Sequence, residues 1–260
     1  MKKYIVLQLF VLFVCLAQIA TAQTAAEIID KYVAARGGKE KLLSVKTIYM
    51  EGSREMMGNE VPVRVYKEQG KLSRTEFDAA GATGFMLVTE KEVWNFFPMR
   101  SKEPSKMPDE AVVSMQIEMD IAGPLINYET KGNKVELIGK DSAEGRDCFK
   151  FKLTTATAKE INYWLDAKTY LLMQSSTKGG GNRFGMQQRN NPPANGDATK
   201  RNEPREVYTL YKEYKAIDGI LFPHNIETKM PNSEHRGGGG TTFDKIEINK
   251  PIEAKLYKPE

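Results

Sequence analysis

Cysteine and histidine are scarce in this chain of 260 residues: there are two of each. Cys15 falls in an apolar leader, so Cys148 would be the one thiol left in the mature protein, and an intrachain disulfide is excluded. With His224 and His235 as the whole imidazole supply, and no HExxH or CxxC spacing, a zinc site is not expected. No GxSxG elbow is present. The runs Gly179-Gly180-Gly181 and Gly237 to Gly240 are not followed by Lys-Ser/Thr, so neither is a phosphate loop. Charge of one sign is lacking too. The net charge of +4 falls by two once Lys2 and Lys3 are removed, which leaves no electrostatic case for nucleic acid. Beyond the first 22 residues no run is long and apolar enough to span a bilayer, which takes about 20 residues.

The leader has its own grammar. Met1-Lys2-Lys3 gives a basic start, Tyr4 to about Ile19 an apolar stretch, and Ala20-Thr21-Ala22 a small-x-small site. These are the three parts of a secretory signal, with cleavage expected after Ala22 and export of the remainder. Cys15 follows Val14 inside the apolar stretch, where a lipoprotein signal would need a small residue before its acylated cysteine. Residues 23–260 then form one domain, long enough to build its own core.

Thr24 and Glu27 read as a capping box, followed by Ile28, Ile29, Tyr32 and Val33 on one helical face. Gly37-Gly38 ends that helix, and Lys39 to Leu43 adds a further turn. From Val45 onward the period falls to two. Val61, Val63 and Val65 alternate with polar neighbours, as do Phe149, Phe151 and Leu153, then Ile161, Tyr163 and Leu165, then Ile220, Phe222, His224 and Ile226. Turns at Gln69-Gly70, Ala80-Gly81, Glu144-Gly145, Asp166-Ala167-Lys168 and Asp218-Gly219 separate about ten strands and favour antiparallel neighbours.

One helix interrupts the strands, predicted over Pro108 to Ala122. It has two apolar stripes, Val112, Met115 and Met119, and Val113, Ile117 and Ile121. Two stripes imply either deep burial or contact with apolar surface on more than one side. Residues Gly179 to Arg205, rich in Gly, Asn, Gln and Pro, read as a flexible hairpin insertion. Arg183, Arg189, Lys200, Arg201 and Arg205 make it basic, so transient contact with an anionic membrane surface is an alternative to plain solvation. Gly237 to Gly240 marks a second flexible tip.

Reactive groups do not converge in the sequence. His224 sits on an apolar strand face and reads as a packed residue, and Cys148 lies in a predicted strand as a structural thiol. Apolar material is abundant instead: 12 Met, 11 Phe and 11 Tyr. Neighbouring pairs such as Phe85-Met86-Leu87 and Phe96-Phe97 make both faces of their strands apolar, so the second face must be covered or used for binding. The candidates for an apolar cavity are Phe77, Phe85, Met86, Trp94, Phe96, Met115, Met119, Trp164 and Met173. Ordinary core filling explains the same residues, because period two does not say which face is inside.

Several segments in order resemble the LolA/LolB-like superfamily, in particular the exported lipoprotein-sorting proteins of Bacteroidetes-type bacteria. Ala26-Glu27-Ile28-Ile29-Asp30-Lys31-Tyr32, with Ala35-Arg36-Gly37-Gly38 and Lys41-Leu42, is similar to their N-terminal helix. Glu90 to Pro98, Tyr163-Trp164-Leu165-Asp166 with Leu171-Leu172-Met173, and Tyr214 to His224 resemble successive strand signatures, and Asp244 to Asn249 with Pro251-Ile252 the closing strand. The resemblance covers most of Thr24 to Pro259. It implies an α+β fold, an incomplete antiparallel β-barrel wrapped over helices, with a hydrophobic cavity between them. It also implies carriage of the acyl chains of lipids or lipoproteins to the outer membrane, without covalent chemistry, metal or cofactor. The arginine that holds the lid closed in carrier members has no clear counterpart; Arg64 and Arg74 lie nearest. The insertion is also outside the carrier pattern. Two rivals remain: a periplasmic sensor or scaffold that takes an envelope protein partner in the same groove, and a hydrolase whose site is assembled from distant polar residues.

Overall fold

The computed structural model describes residues 23–56, 58–79, 81–178, 206–230 and 239–260. The predicted leader, the predicted insertion over 179–205 with its basic residues, His235 and the first part of the predicted 237–240 tip lie outside the described residues.

The described residues begin with two helices, α1 (Ala25–Ala35) and α2 (Lys39–Ser44). The capping box is present: the Thr24 amide donates to Glu27 Oε2 at 2.9 Å, and the Glu27 amide to Thr24 Oγ1 at 3.2 Å. Gly37 (φ 121°) and Gly38 (φ 95°) end α1 in a conformation that an L side chain avoids. A Cβ at Gly37 would also run into the Gly219 carbonyl, so the bend lets the helix close on a strand turn.

Strands follow as β1 (Thr47–Met56), β2 (Asn59–Glu68), β3 (Leu72–Ala79), β4 (Ala82–Thr89), β5 (Val93–Phe96) and β6 (Ser105–Lys106). After a crossing segment come β7 (Lys134–Ala143), β8 (Arg146–Thr154), β9 (Glu160–Asp166), β10 (Leu172–Lys178), β11 (Glu206–Ile217), β12 (Ile220–Lys229) and β13 (Gly240–Ile248). All thirteen belong to one antiparallel sheet in the order β6-β5-β4-β3-β2-β1-β13-β12-β11-β10-β9-β8-β7. Two meanders are therefore joined where β1 pairs with β13, Met50 opposite Ile246. The edges β6 and β7 are not paired with each other, which leaves the barrel incomplete. Thirteen strands exceed the ten or so predicted. The two-residue β6 is exposed throughout and carries no alternation to read.

Period two now has a definite inside. Ile48, Met50, Val63, Val65, Phe151, Leu153, Leu165 and Phe222 face the helices and form the main core with Ile28, Ile29, Tyr32 and Leu42. Phe151, Leu165 and Ile28 are each 0% exposed. Burying one such side chain stabilises the fold by about 1.5–3 kcal/mol.

The outer face is not left bare. Beyond β13 the tail turns back through a 3₁₀ turn at Ala254–Tyr257. Ile252 and Tyr257 cover Leu72, Phe85 and Leu87 from outside. Arg74 pins this tail: its Nη1 donates to the Lys258 carbonyl at 2.8 Å, its Nε to Glu76 Oε1 at 2.8 Å, and its guanidinium lies 4.3 Å from the Phe85 ring centroid. The apolar second face anticipated at β4 and β5 thus has its cover. Among the described residues, no helix is long and apolar enough to cross a membrane.

Candidate functional site

The segment between β6 and β7 crosses the inner face and forms the second roof of the sheet. It opens with α3 (Asp109–Met115), continues as a 3₁₀ turn at Gln116–Met119, and then leaves helical geometry at Asp120 (ψ 96°). The predicted helix to Ala122 is thus corrected to a shorter one, and the reason is local. Asp120 Oδ1 accepts from the Gly123 amide at 3.3 Å, and Gln69 Oε1 takes the Ile121 amide at 2.8 Å. Side chains satisfy the amides that further helix would have bonded, and Gly123-Pro124 then prevents resumption. At the other end Pro108 precedes α3 with no side-chain cap. Asp109 and Glu110 favour its N-terminus electrostatically.

The two apolar stripes serve different neighbours. Val112, Met115 and Met119 pack on Met86, Val88 and Val93, with Met107 alongside, as a separate methionine-rich cluster beneath α3. Ile117 and Ile121 pack against the main core, while Val113 is 50% exposed. The cover therefore sits on the seam between two apolar clusters, in contact with both.

Polar ties hold the cover down. Lys131 Nζ donates to Asp120 Oδ2 at 2.7 Å and to the Gly123 carbonyl at 2.9 Å. The Gly70 amide donates to the Met119 carbonyl at 3.1 Å. Arg36, at the end of α1, is buried and donates through Nη1 to Tyr32 Oη and to the Ala122 carbonyl, both at 3.2 Å, and through Nε to the Leu221 carbonyl at 3.4 Å. Burial works against its charge, but Tyr32, Tyr214 and Asp120 outweigh that and raise its basicity. One guanidinium thus links α1, the cover and β12. Sequence reasoning missed it, although Arg36 directly precedes the Gly37-Gly38 helix stop and points its charge at the carbonyl end of α1. Arg64 and Arg74, the nearest candidates by position, are both on the outer face. Arg64 grips Asp78 with both Nη atoms, at 2.9 and 2.8 Å, and Arg74 serves the tail.

Two concavities flank the cover. A cleft of about 510 Å³ runs between α1 and residues 125–130, with Ile29, Val33, Leu125 and Ile126 as its floor and Asp30, Lys39, Asn127 and Glu129 on its rim. This is within the range of small-molecule sites, about 300–1,000 Å³. A chamber of about 120 Å³ lies between Ile117 and Pro124 of the cover and the inner face of β9, β10 and β11. Where the sequence anticipates an apolar cavity, these two spaces lie on either side of residues 117–126. The region between is occupied by α1 side chains and by Leu125 (2% exposed) and Ile126 (1% exposed).

The nine candidate cavity residues are not brought together. Phe77 faces inward, lies across Gly84 where a Cβ would overlap its ring, and meets Phe97 at 5.3 Å between ring centroids. Met86, Met115 and Met119 form the cluster beneath α3. Phe85, Trp94 and Phe96 are on the outer face under the C-terminal tail. Trp164 and Met173 are also outside, with Ala143, Cys148 and Tyr208; Trp164 Nε1 donates to Asp141 Oδ2 at 3.0 Å, and Lys150 lies 4.8 Å from its ring centroid. On the strands, the five outward residues differ from the inward Phe77 and Met86 by a single step in register, which composition does not reveal.

The reactive groups are engaged structurally. Burial pushes the Cys148 thiol up, away from thiolate character. His224 is buried on the inner face, with Nδ1 2.7 Å from the Phe243 carbonyl, so Nδ1 carries the proton and Nε2 is left without a hydrogen-bond partner.

No family model matches the sequence, and no curated protein matches it. Solved structures do. A LolA superfamily protein from Nitrosomonas europaea superposes with a TM-score of 0.54 at 13% identity, over 91% of this chain and 98% of that one. A DUF1329 family protein from Desulfovibrio piger gives 0.54 at 12% identity, over 91% and 98%. A domain named for outer membrane lipoprotein sorting, from Vibrio parahaemolyticus, gives 0.52 at 12% identity, over 89% and 94%. The chain therefore has the LolA-like fold, an open antiparallel sheet wrapped over helices.

Proposed function

We propose that this protein is a periplasmic carrier that shelters the acyl chains of lipids or lipoproteins on the inner face of its sheet and delivers them to the outer membrane. The observation that carries this reading is the cover, residues 107–131. It is a short roof between two apolar clusters, with a concavity on either side, tied down by a few polar contacts at Gln69, Asp120, Lys131 and Arg36. Lifting residues 117–126 would join the two spaces and open a groove along Ile29, Val33, Ile117 and the methionine cluster. Each methylene of a chain placed there gains about 0.8 kcal/mol, offset by the contacts the cover gives up. Methionine suits such a surface, since its unbranched side chain refills irregular space. Of the nine residues named from sequence, Phe77, Met86, Met115 and Met119 are the ones proposed to meet the chain.

Transfer of this kind needs apolar burial and release rather than bond making, so the protein acts as a binder and not as an enzyme. The LolA-like fold supports the reading at the level of architecture. The expected secretory leader and periplasmic location belong to the same proposal. The test is displacement of a fluorescent fatty acid, together with mass spectrometry of lipid retained on protein purified from its native envelope. Met86→Asp should abolish probe binding while Trp94→Ala, on the outer face, leaves it intact. Equal loss in both, or binding by neither the parent nor the variants, would remove the assignment.

A second reading has its own support. The rim of the larger cleft is polar on both sides, with Asp30 and Lys39 facing Asn127 and Glu129, and would suit a peptide of an envelope partner better than a bare hydrocarbon. Recovery of one protein partner with no lipid would favour that sensor or scaffold role.

A further inference from the structure

The smaller chamber differs in chemistry from the rest of the interior. On β9, β10 and β11 the inward positions are set by register: Tyr163 opposite Ser175, Ser175 opposite Thr209, and Ile161 opposite Thr177. Tyr211 joins them from the next inward position, its Oη 3.1 Å from Ser175 Oγ. Elsewhere on this face most buried inward residues are apolar, and the polar ones, Ser73, His224 and Thr241, are spread over β3, β12 and β13. Here five hydroxyls converge on about 120 Å³, with Ser175 6% exposed and Thr209 4% exposed. Roughly four water molecules would fill that space at about 30 Å³ each, so it matches a three- to four-carbon polyol.

Hydroxyls of this group have partners within the fold, as Ser175 Oγ has Tyr211 Oη, and a hydroxyl oxygen that takes part in one hydrogen bond keeps capacity for another. Each hydroxyl can both donate and accept, so a ring of them complements other hydroxyls better than it complements a charge. The mouth points the same way. Lys159 and Glu118, one charge of each sign, stand on the chamber wall, and Lys159 Nζ also donates to the Ser114 carbonyl of α3 at 3.3 Å. Both side chains already have partners, so a charged head would meet no spare charge of opposite sign there. Ile117 and Pro124 of the cover form the opposite wall, which gives a hydrocarbon attached to the head a direct path beneath the roof.

We propose that this chamber is the head-group site of the carrier, selective for an uncharged amphiphile with a small, hydroxyl-bearing head such as a glyceride. The inference rests on the acyl-carrier reading and adds the class of head that the site recognises.

The experiment is competition against a fluorescent fatty acid bound to the full chain. The competitors share one chain length: a monoacylglycerol, an alkyl glucoside, the fatty acid methyl ester and a lysophosphatidic acid. The monoacylglycerol should displace the probe at least tenfold more effectively than the methyl ester, and the glucoside, whose six-carbon head exceeds the chamber, should compete no better than the methyl ester. Thr209→Val and Thr177→Val, near-isosteric changes, should erase that preference while the methyl ester competes as before. Thr177 is only half-buried and keeps the test available if Thr209→Val folds poorly, as judged by thermal unfolding. Equal competition by all four, a preference that survives both substitutions, or stronger binding of the lysophosphatidic acid would overturn the head-group site and leave the carrier standing. Failure of every competitor to displace the probe, or of the probe to bind, would overturn both.

Discussion

The two roofs of the inner face are built differently. α1 has a complete capping box, a glycine stop, a buried arginine at its end and fully buried aliphatic residues beneath it. α3 has no side-chain cap, spans seven residues before tightening into a 3₁₀ turn, and rests on methionines. In the first region every local preference agrees with the tertiary packing. In the second, the segment is held by a handful of side-chain contacts to backbone groups and fits a surface that tolerates rearrangement. The difference separates a part made to stay from a part suited to move, and elements that move are drawn from the less stable end of a fold.

The sharpest way to break this contrast is to compare cavities cut on the two sides. Phe151→Ala, beneath α1, should cost about 3–5 kcal/mol in urea unfolding. Met115→Ala, beneath α3, should fall at or below the low end of the Met→Ala range, about 2 kcal/mol, since the site can collapse. Equal losses would remove the distinction. Next in size is Arg36→Met, which strips charged hydrogen bonds from the Tyr32 hydroxyl and the Ala122 and Leu221 carbonyls; we expect a loss of about 2 kcal/mol, with faster hydrogen exchange in residues 120–126 than in α1. Exchange that rises in both together would mean that the cover and α1 open as one unit.

A smaller effect depends on pH. Asp166 is buried in the β9–β10 turn, and burial alone would raise its carboxyl. The amides of Thr169 and Lys168, the Thr169 hydroxyl and Arg146 overcome this and hold it below the ordinary carboxylate range. A carboxyl depressed in the folded state stabilises the fold above its unfolded pKa, about 3.9, and loses that contribution as pH falls from there through the folded value. Asp166→Asn should therefore flatten the stability curve below about pH 4, a region governed by the α1 side, where Tyr170 of the same turn receives a hydrogen bond from Lys31 at 3.3 Å. Thr24→Ala should cost about 1 kcal/mol through loss of the cap. The least effect is expected of Met115→Leu: stability within about 1 kcal/mol of the parent, but a changed affinity for the acyl probe. A large loss of stability there would place the methionine cluster among the fixed parts of the core.

The legibility of the sequence follows the same division. Thr24, Glu27, Ile28, Tyr32 and Gly37 announce α1 because their roles are local: a cap, a face and a stop within a dozen residues. The alternating strands were equally open to reading, and with them the class of fold. The cover was read too long, because Asp120 and Gln69 take over backbone amides through contacts that no helical periodicity shows. The candidate cavity scattered for a related reason. Trp94, Phe85 and Trp164 have the composition of cavity residues but lie one register step from the inner face, the first two under a tail that begins more than 150 residues later and the third against Ala143, Cys148 and Tyr208.

What the sequence determined by itself is whatever short-range chemistry decides: the helix starts and stops, the period of each strand, and the turns that make neighbours antiparallel. Tertiary structure alone decided which face of each strand became the inside, that β1 would close on β13, that the hollow would be divided in two, and that Arg36 would bridge α1 to the cover. Those outcomes depend on pairs of residues far apart in the chain, and a period of two is the same pattern seen from either side of a sheet.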